Sequence, residues 1–261
     1  MKICVCMKQV PGTTEVKIDP GTNTLIRQGI ENVINPFDTY AIEEGVRLKE
    51  RQGGTVTVIS MGPPQAEEAL RETISLGADE AVLLSDAAFA GADTWATAFT
   101  LAKAIEKIGG CDLIICGRQT IDGDTGQVGP ELAEMLDLPF VAYVSQVENI
   151  SDHAILLRRM VEEGHEIIET TLPAVITVTK EINIPRLPSL RGISKSKSAV
   201  IPTWGVAELG IDKDMVGRVG SATEVIKVFF PQRVCVAEML EGDPETQATA
   251  LIDRLRTAGL L

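Results

Sequence analysis

The sequence has little of the side-chain chemistry that enzymes use for acid–base or metal catalysis. It contains two histidines and five cysteines in 261 residues, and aromatic residues make up only 4% of it. No two cysteines have C-x-x-C spacing, and an odd number of thiols is typical of a chain kept reduced. His153 and His165 lie in polar, strand-like surroundings that favour neither a zinc centre nor a catalytic triad. Any redox function must therefore come from a bound cofactor.

The cysteines are expected to act as small buried hydrophobic side chains. Cys4 and Cys6 lie on the first apolar stretch and are expected to point to opposite faces of a strand. Cys111 and Cys116 lie on either side of a second apolar stretch, and Cys235 stands alone. None of them is expected to bind a metal.

Charge and hydropathy exclude two further classes of protein. A net charge of −13 and few aromatic residues argue against a nucleic-acid partner. No apolar run approaches the roughly 18 residues of a membrane span. The N-terminus begins a strand at once and has no signal-peptide pattern. We expect a cytoplasmic protein.

Apolar strands alternate with helical patterns over the first half of the chain. The pattern predicts strands at 2–10, 55–61, 81–84 and 112–116. It predicts helices over 36–52 and 94–108, a helix that follows the second strand and ends at Gly77, and a helix from Gln127 to Leu136. A hairpin over 16–27, with its turn at 20–23, precedes the first helix, for which Asn35 is the expected N-cap and Pro36 the first residue. This alternation predicts an α/β fold with a doubly wound parallel sheet.

The second half of the chain has a different pattern. Short β segments at 141–147, 154–160, 166–171 and 174–179 are expected to add antiparallel strands at one side of the sheet. We divide the chain into a nucleotide-binding domain (1–181), a docking loop (182–198) and a C-terminal arm (199–261). Pro185 and Pro188 are expected to keep residues 182–192 irregular. The arm, with a helix near 245–260, is a C-terminal extension expected to wrap a partner subunit.

A glycine-rich connection follows the strand at 112–116. It extends from Gly117 to Gly129 and leads into the next helix. Strand, glycine-rich loop and helix start together present free backbone N–H groups to a phosphate. The loop lacks the Gly-Lys-Ser/Thr of a P-loop, and no G-x-G-x-x-G follows the first strand. By itself it fits either a phosphate site or an ordinary long connection.

Four connections are predicted to meet at the carboxyl edge of the sheet, where doubly wound proteins bind their ligands. They are Cys6–Val10, Asn35–Asp38, Ser60–Gln65 and Arg118–Gly129. Several helices begin there as well, and helix N-termini favour an anion.

Several stretches match the landmarks of a known family. They are Cys6-Met-Lys-Gln-Val-Pro11, Asn35-Pro36-Phe37, Val46-Arg-Leu-Lys-Glu50, Ser60-Met-Gly-Pro63, Ile121-Asp-Gly-Asp-Thr-Gly-Gln127, Val161-Glu-Glu-Gly-His-Glu166 and Leu172-Pro-Ala-Val-Ile176. Over nearly its whole length the chain resembles the β subunits of electron transfer flavoproteins. Leu157 is a mild departure, because the family prefers a smaller or β-branched residue there.

The resemblance implies a heterodimer with an α subunit that holds FAD. In the common form of the family the β subunit buries an AMP without a redox role. In the electron-bifurcating form it holds a second FAD that takes hydride from NADH. The stretch Phe89–Ala98 resembles the bifurcating form, and Asp93, Thr94 and Thr97 offer oxygen atoms near a helix start.

The resemblance also implies a set of site residues. The expected cofactor contacts are Cys6, Asn35, Phe37, Asp38, Met61, Asp93, Thr94, Thr97, Asp122, Gly123, Asp124, Thr125, Gly126, Gln127, Val128 and Gly129. The N–H groups of Gly123, Thr125, Gly126 and Gln127 are expected to hold the phosphates. Asp122 and Asp124 are expected to cap the turn or meet ribose hydroxyls. Leu187 is the expected apolar anchor for a dehydrogenase partner, with Arg186 and Arg191 steering the encounter.

Three functions stay open at this point. In the first, the subunit passes electrons from NADH to ferredoxin or flavodoxin and to the α-subunit FAD, which serves a flavin dehydrogenase such as an acyl-CoA dehydrogenase. In the second, it is a non-bifurcating subunit with a structural AMP. The third is a free-standing nucleotide-binding enzyme of related fold, such as an ATP pyrophosphatase or a stress-type ATP binder. An ATP pyrophosphatase would need an S-G-G-x-D-S loop after the first strand, and residues 9–13 do not form one.

Overall fold

The computed structural model describes residues 1–12, 17–18, 25–26, 32–226 and 237–261. The chain divides into two compact units, Met1–Ile226 and Lys227–Leu261. We describe each unit by itself.

The first unit alternates strands and helices as the sequence predicts. Its strands are β1 (Lys2–Cys6), β2 (Gln9–Pro11), β3 (Lys17–Ile18), β4 (Leu25–Ile26), β5 (Asn32–Ile34), β6 (Thr55–Met61), β7 (Glu80–Leu84), β8 (Leu113–Gly117), β9 (Phe140–Ile150), β10 (Ala154–Val161), β11 (Gly164–Thr171), β12 (Ala174–Val178) and β13 (Thr203–Trp204). Its helices are α1 (Pro36–Gln52), α2 (Ala66–Leu76), α3 (Thr94–Lys107), α4 (Val128–Met135), α5 (Leu190–Ser198), α6 (Val206–Leu209) and α7 (Gly217–Gly220). The predicted fold class is confirmed.

Within the described residues, nine strands form the main sheet in the order β11-β10-β9-β12-β8-β1-β6-β7-β13. The strands from β9 to β13 in this order pair in parallel, whereas β10 pairs antiparallel with both β9 and β11. The prediction that 174–179 adds an antiparallel strand is wrong. This segment, β12, lies between β8 and β9 and is buried at all five positions, as expected for a parallel strand covered on both faces.

Two cores cover the two faces of the sheet. Ile3 and Val5 belong to the first core, and Cys4 and Cys6 belong to the second. The prediction that Cys4 and Cys6 face opposite sides is therefore wrong, because residues two apart on a strand share a face. Both thiols are buried, as expected, and the hydrogen bond with Cys111 together with burial holds the pKa of Cys4 well above its usual value.

Local signals fix the ends of the first two helices. Pro36 is the first residue of α1, where its fixed φ suits the helix and its missing N–H costs nothing. Gly53 follows α1 with φ of 74°, and Gly77 follows α2 with φ of 121°. Both angles lie in the region that glycine tolerates best.

Before α1 the structure differs in detail from the predicted strand at 2–10 and the predicted hairpin at 16–27. The single strand predicted at 2–10 is two strands, β1 and β2, separated by Met7 and Lys8. The hairpin forms an antiparallel pair in which Lys17 faces Ile26. Its predicted turn at 20–23 lies outside the described residues.

The segment after β12 is irregular only to Ser189. Helix α5 starts at Leu190, inside a stretch that the prolines at 185 and 188 were expected to keep irregular, and the Ser189 side chain caps it by accepting from the N–H of Gly192 at 2.9 Å. Beyond α5 the chain stays on the first unit: β13 pairs with β7, and Val206 and Val216 are buried in the second core. The compact unit thus extends to Ile226.

Over residues 237–261, the part of the second unit that the structure describes, the chain forms α8 (Pro244–Thr257), which confirms the helix predicted near 245–260. Asp243 caps it by accepting a hydrogen bond of 2.8 Å from the N–H of Thr246. Over the residues that the structure describes, no helix is both long and apolar enough to cross a membrane.

Candidate functional site

The chain reverses its direction across the sheet between β1 and β8. From β1 it passes to β6 and β7 on one side, and it then returns to β8 on the other side of β1. The carboxyl ends of these two strands therefore border the crevice in which doubly wound sheets bind ligands. The glycine-rich loop leaves β8 directly at this crevice.

The loop presents free backbone donors. The N–H groups of Gly123, Thr125, Gly126 and Gln127 donate to no acceptor in the described part of the chain. All four residues are exposed, and Gly126 has a φ of 65°. Four unpaired donors just before α4 match what an anion requires.

Asn35 fixes the loop to the start of α1. Its side-chain amide donates to the carbonyl of Gln119 at 2.9 Å and accepts from the N–H of Ile121 at 3.2 Å. Asn35 is the N-cap residue of α1, as predicted, but its side chain bonds the loop and makes no cap bond to the helix. Asn35 is fully buried and holds the loop in register.

Asp38 is a buried carboxyl group beside the end of β1. One of its oxygens accepts from the N–H of Lys8 at 2.8 Å, and it also contacts Asn35 and the N–H of Gly117. Burial raises the pKa of Asp38 to about 7 against the opposing effect of these donors. A side chain on Gly117 would collide with Asp38, so glycine is required there.

Lys8 and Asp122 form an ion pair across the crevice. The ammonium of Lys8, just after β1, lies 2.7 and 2.8 Å from the two carboxylate oxygens of Asp122 in the loop. Burial opposes ionisation of Asp122, but the hydrogen bond and charge of Lys8 outweigh it and lower the pKa of Asp122. Sequence reasoning missed Lys8, although it lies inside the matching landmark that begins at Cys6.

The end of the loop packs tightly on the sheet. A Cβ added to Gly129 would lie 2.5 Å from Cγ2 of Thr177 on β12, so only glycine fits there. Val128, the first residue of α4, is half-buried, and Asp124 adopts φ of 56° beside the side chain of Gln119. These contacts set the direction in which α4 leaves the loop.

The start of α3 meets the first turn of α4. The hydroxyl of Thr94 donates to Oε1 of Glu131 at 3.0 Å. The other oxygen of Glu131 is buried without a partner, and burial raises the pKa of this carboxyl. Sequence reasoning missed Glu131. Its position in the turn after Gln127 was the only feature of the sequence that could have indicated a role at this site.

Asp93 uses both carboxylate oxygens within the chain. Oδ1 accepts from the N–H of Ala96 at 3.0 Å and caps α3, and Oδ2 accepts from the N–H and hydroxyl of Thr223 at 2.8 and 3.0 Å. Thr97, one turn further along α3, is half-buried. Asp93 therefore orders this corner from within the chain.

Three other expected contacts border the crevice, and the side chain of one of them, Cys6, hydrogen-bonds to the thiols of Cys4 and Cys116. Cys6 ends β1, Phe37 lies in the first turn of α1, and Met61 ends β6. Cys6 is buried and the other two are half-buried. They supply apolar surface at the edge.

The predicted docking residues lie on the segment between β12 and α5. Leu187 is 87% exposed, and Arg191 is exposed on α5. Arg186 instead donates to Glu43 at 2.8 Å and to Glu50 at 2.6 Å, both on α1. The charge of Arg186 is thus compensated within the chain.

A surface depression of about 580 Å³ lies at the opposite edge of the sheet. It is formed by the amino ends of β1, β6 and β8, and its lining includes Gly54, Gly109 and Gly110. Ligands of doubly wound sheets bind at the carboxyl edge, so we place the functional site at the crevice.

A doubly wound sheet with a glycine-rich loop at its switch point places the chain in the architectural class of nucleotide-binding α/β domains. Residues 22–209 match the electron transfer flavoprotein domain. The chain belongs to the electron transfer flavoprotein family, as a β subunit, and this membership implies an α-subunit partner.

Three relatives show the breadth of the similarity. The chain is 50% identical to an electron transfer flavoprotein subunit beta of Thermoanaerobacterium thermosaccharolyticum over 98% of both chains. It is 45% identical to the caffeyl-CoA reductase-Etf complex subunit CarD of Acetobacterium woodii, again over 98% of both. It is 43% identical to protein FixA of Azotobacter vinelandii, over 98% of this chain and 95% of the relative.

Proposed function

We propose that this chain is the β subunit of an electron-bifurcating electron transfer flavoprotein and binds an FAD of its own. The observation that carries the proposal is the hydrogen bond between Thr94 and Glu131. It joins the start of α3 to α4 next to the free N–H groups of the loop. AMP lacks the flavin ring, whose N–H and carbonyl groups could use a second polar site beside the loop.

The residues of the crevice fit a flavin dinucleotide. The four unpaired N–H groups would hold phosphate oxygens, and the absence of a Cβ at Gly129 sets the close approach of α4 to the sheet. The Thr94 proton is directed at Glu131, which leaves the Thr94 oxygen as an acceptor for a ring N–H. Asp93 positions this corner through its cap and its bonds to Thr223.

Bound FAD would supply the redox chemistry, taking hydride from NADH and releasing electrons one at a time. In our proposal one electron goes to ferredoxin or flavodoxin and the other to the α-subunit FAD. The dehydrogenase served by that FAD is proposed to act on a CoA thioester, since a similar chain is a subunit of a caffeyl-CoA reductase complex. This chain needs no acid–base residue for its part.

An AMP-binding, non-bifurcating subunit is the second candidate. It is favoured by Asp93, because both of its carboxylate oxygens are satisfied by Ala96 and Thr223, as an ordinary helix cap requires.

Ligand content decides between the two. The chain is produced together with its α subunit, and the nucleotides released on denaturation are counted per heterodimer. We expect two FAD and no AMP. One FAD and one AMP would contradict the proposal and support the second candidate.

A further inference from the structure

We infer that Lys8 binds a phosphate group of the nucleotide and that Asp122 is its counterion until the phosphate arrives. The inference rests on the proposed function, because it concerns the same crevice. The ligand chemistry is a nucleotide phosphate, whether it comes from FAD or AMP.

The position of Lys8 carries the argument. β1 is one of the two strands between which the chain reverses its direction across the sheet, and Lys8 follows it by two residues. Its ammonium reaches Asp122, which directly precedes Gly123, the first of the four loop residues with a free N–H. Among the described residues, the Lys8 side chain is thus the cation that bonds to the loop itself.

The backbone of Lys8 is fixed on both sides. Its N–H donates to Oδ2 of Asp38 at 2.8 Å, and its carbonyl accepts from the N–H of Asn35 at 2.9 Å. Asn35 in turn bonds the loop at Gln119 and Ile121. The backbone of Lys8 is therefore fixed in position relative to the loop, and only the Lys8 side chain is free to exchange partners.

Asp122 and a phosphate compete for the same ammonium. The Lys8 side chain remains 46% exposed while it contacts Asp122, so a ligand can reach it. A bare carboxylate next to a phosphate is repulsive, and an intervening ammonium removes that repulsion. The two partners of the pair should therefore have opposite effects on the affinity for phosphate: Lys8 should raise it and Asp122 should lower it.

The test measures nucleotide affinity in the α–β complex freed of nucleotide. Kd values for FAD, AMP and inorganic phosphate are determined for the wild type, Lys8→Met and Asp122→Asn at low and high salt. Lys103→Met and Glu106→Gln are the matched controls, because this surface pair on α3 has the same 2.7 Å separation.

For Lys8→Met we expect the affinity for each phosphate ligand to fall by about 10- to 100-fold, as for loss of a charged hydrogen bond. For Asp122→Asn we expect it to rise by about three- to tenfold, because a competitor and a like charge are removed. Added salt should weaken binding less in Lys8→Met than in the wild type. Both controls should match the wild type.

The sign of the Asp122→Asn effect is decisive. Weaker binding in both variants would show that the pair only braces the loop, and unchanged affinity in Lys8→Met would overturn the inference. If Lys8→Met gives no folded complex, Asp122→Asn alone decides. A wild type that binds neither nucleotide overturns the proposed function, whereas the titration with inorganic phosphate still tests Lys8.

Discussion

The guanidinium of Arg186 lies 2.8 Å from the buried carboxylate of Glu43, a residue 143 positions earlier in the chain. It also contacts Glu50 at 2.6 Å, and its backbone N–H donates to Glu43 at 3.1 Å. Burial alone would raise the pKa of Glu43, but the bonds from Arg186 and Arg47 outweigh it and lower that pKa. The contacts fasten the segment before α5 to α1 and leave Leu187 exposed beside them.

Arg186 and Arg191 are therefore expected to affect partner binding in different ways. Arg186→Ala should destabilise the segment by about 1–2 kcal/mol, because charged hydrogen bonds are lost, and should raise the KM for the dehydrogenase. Arg191→Ala should leave stability unchanged and lower the association rate, most strongly at low salt. Chemical unfolding and stopped-flow electron transfer at two salt concentrations measure both. Identical salt dependence in the two variants would contradict this division of roles.

Leu187→Ala should slow electron delivery to the dehydrogenase without altering the reduction of flavin by NADH. The side chain is 87% exposed, so its truncation should change the free energy of unfolding by less than about 0.5 kcal/mol. Val200→Ala, at an equally exposed residue beyond α5, is the control. An equal loss of both activities would mean that Leu187 has a structural role.

Asp38 should make stability depend on pH. Burial raises its folded pKa to about 7 from 3.8, so the folded state binds the proton more tightly than the unfolded chain. The protonated carboxyl group makes its full contribution to the free energy of unfolding below pH about 4. This contribution is lost as the pH rises to about 7, which lowers the free energy of unfolding by up to about 4 kcal/mol.

The effect of Asp38 is measured by urea unfolding of the wild type and Asp38→Asn between pH 4 and 8. The wild type should lose stability relative to Asp38→Asn as the pH rises over this interval. Parallel pH profiles would show that Asp38 does not titrate there.

Thr94→Ala and Glu131→Gln should weaken flavin binding in this subunit and leave the α-subunit FAD in place. Loss of a neutral hydrogen bond costs about 0.5–1.5 kcal/mol, or about two- to tenfold in affinity. Glu131→Gln should also shift the reduction potential of the flavin, because its amide can donate to Thr94 and free the hydroxyl proton for the ligand. Spectroelectrochemistry and FAD counting give both values. Thr171→Ala on β11 serves as control. If both variants keep two FAD per heterodimer and an unchanged reduction potential, Thr94 and Glu131 have no role in flavin binding.

Local patterns gave most of the fold in advance. The apolar runs at β6 and β8 and the proline and glycines at helix ends are readable from neighbouring residues, because backbone preference and burial act over a few positions. The place of β12 was not readable this way. β10 and β11, which precede β12 in the sequence, are antiparallel strands and suggested that β12 would be one as well. In the structure β12 pairs in parallel with β8, a strand about 60 residues earlier in the chain.

The sequence alone determined that this chain has a doubly wound sheet with a glycine-rich loop, and its landmarks indicated the family. Only the tertiary structure decided which charges meet. Lys8 pairs with Asp122 over 114 positions, and Arg186 pairs with Glu43 over 143. Such pairs have no local signal, because the separation of two charges is set by the packing of whole elements and falls to hydrogen-bond distance only once the sheet has formed.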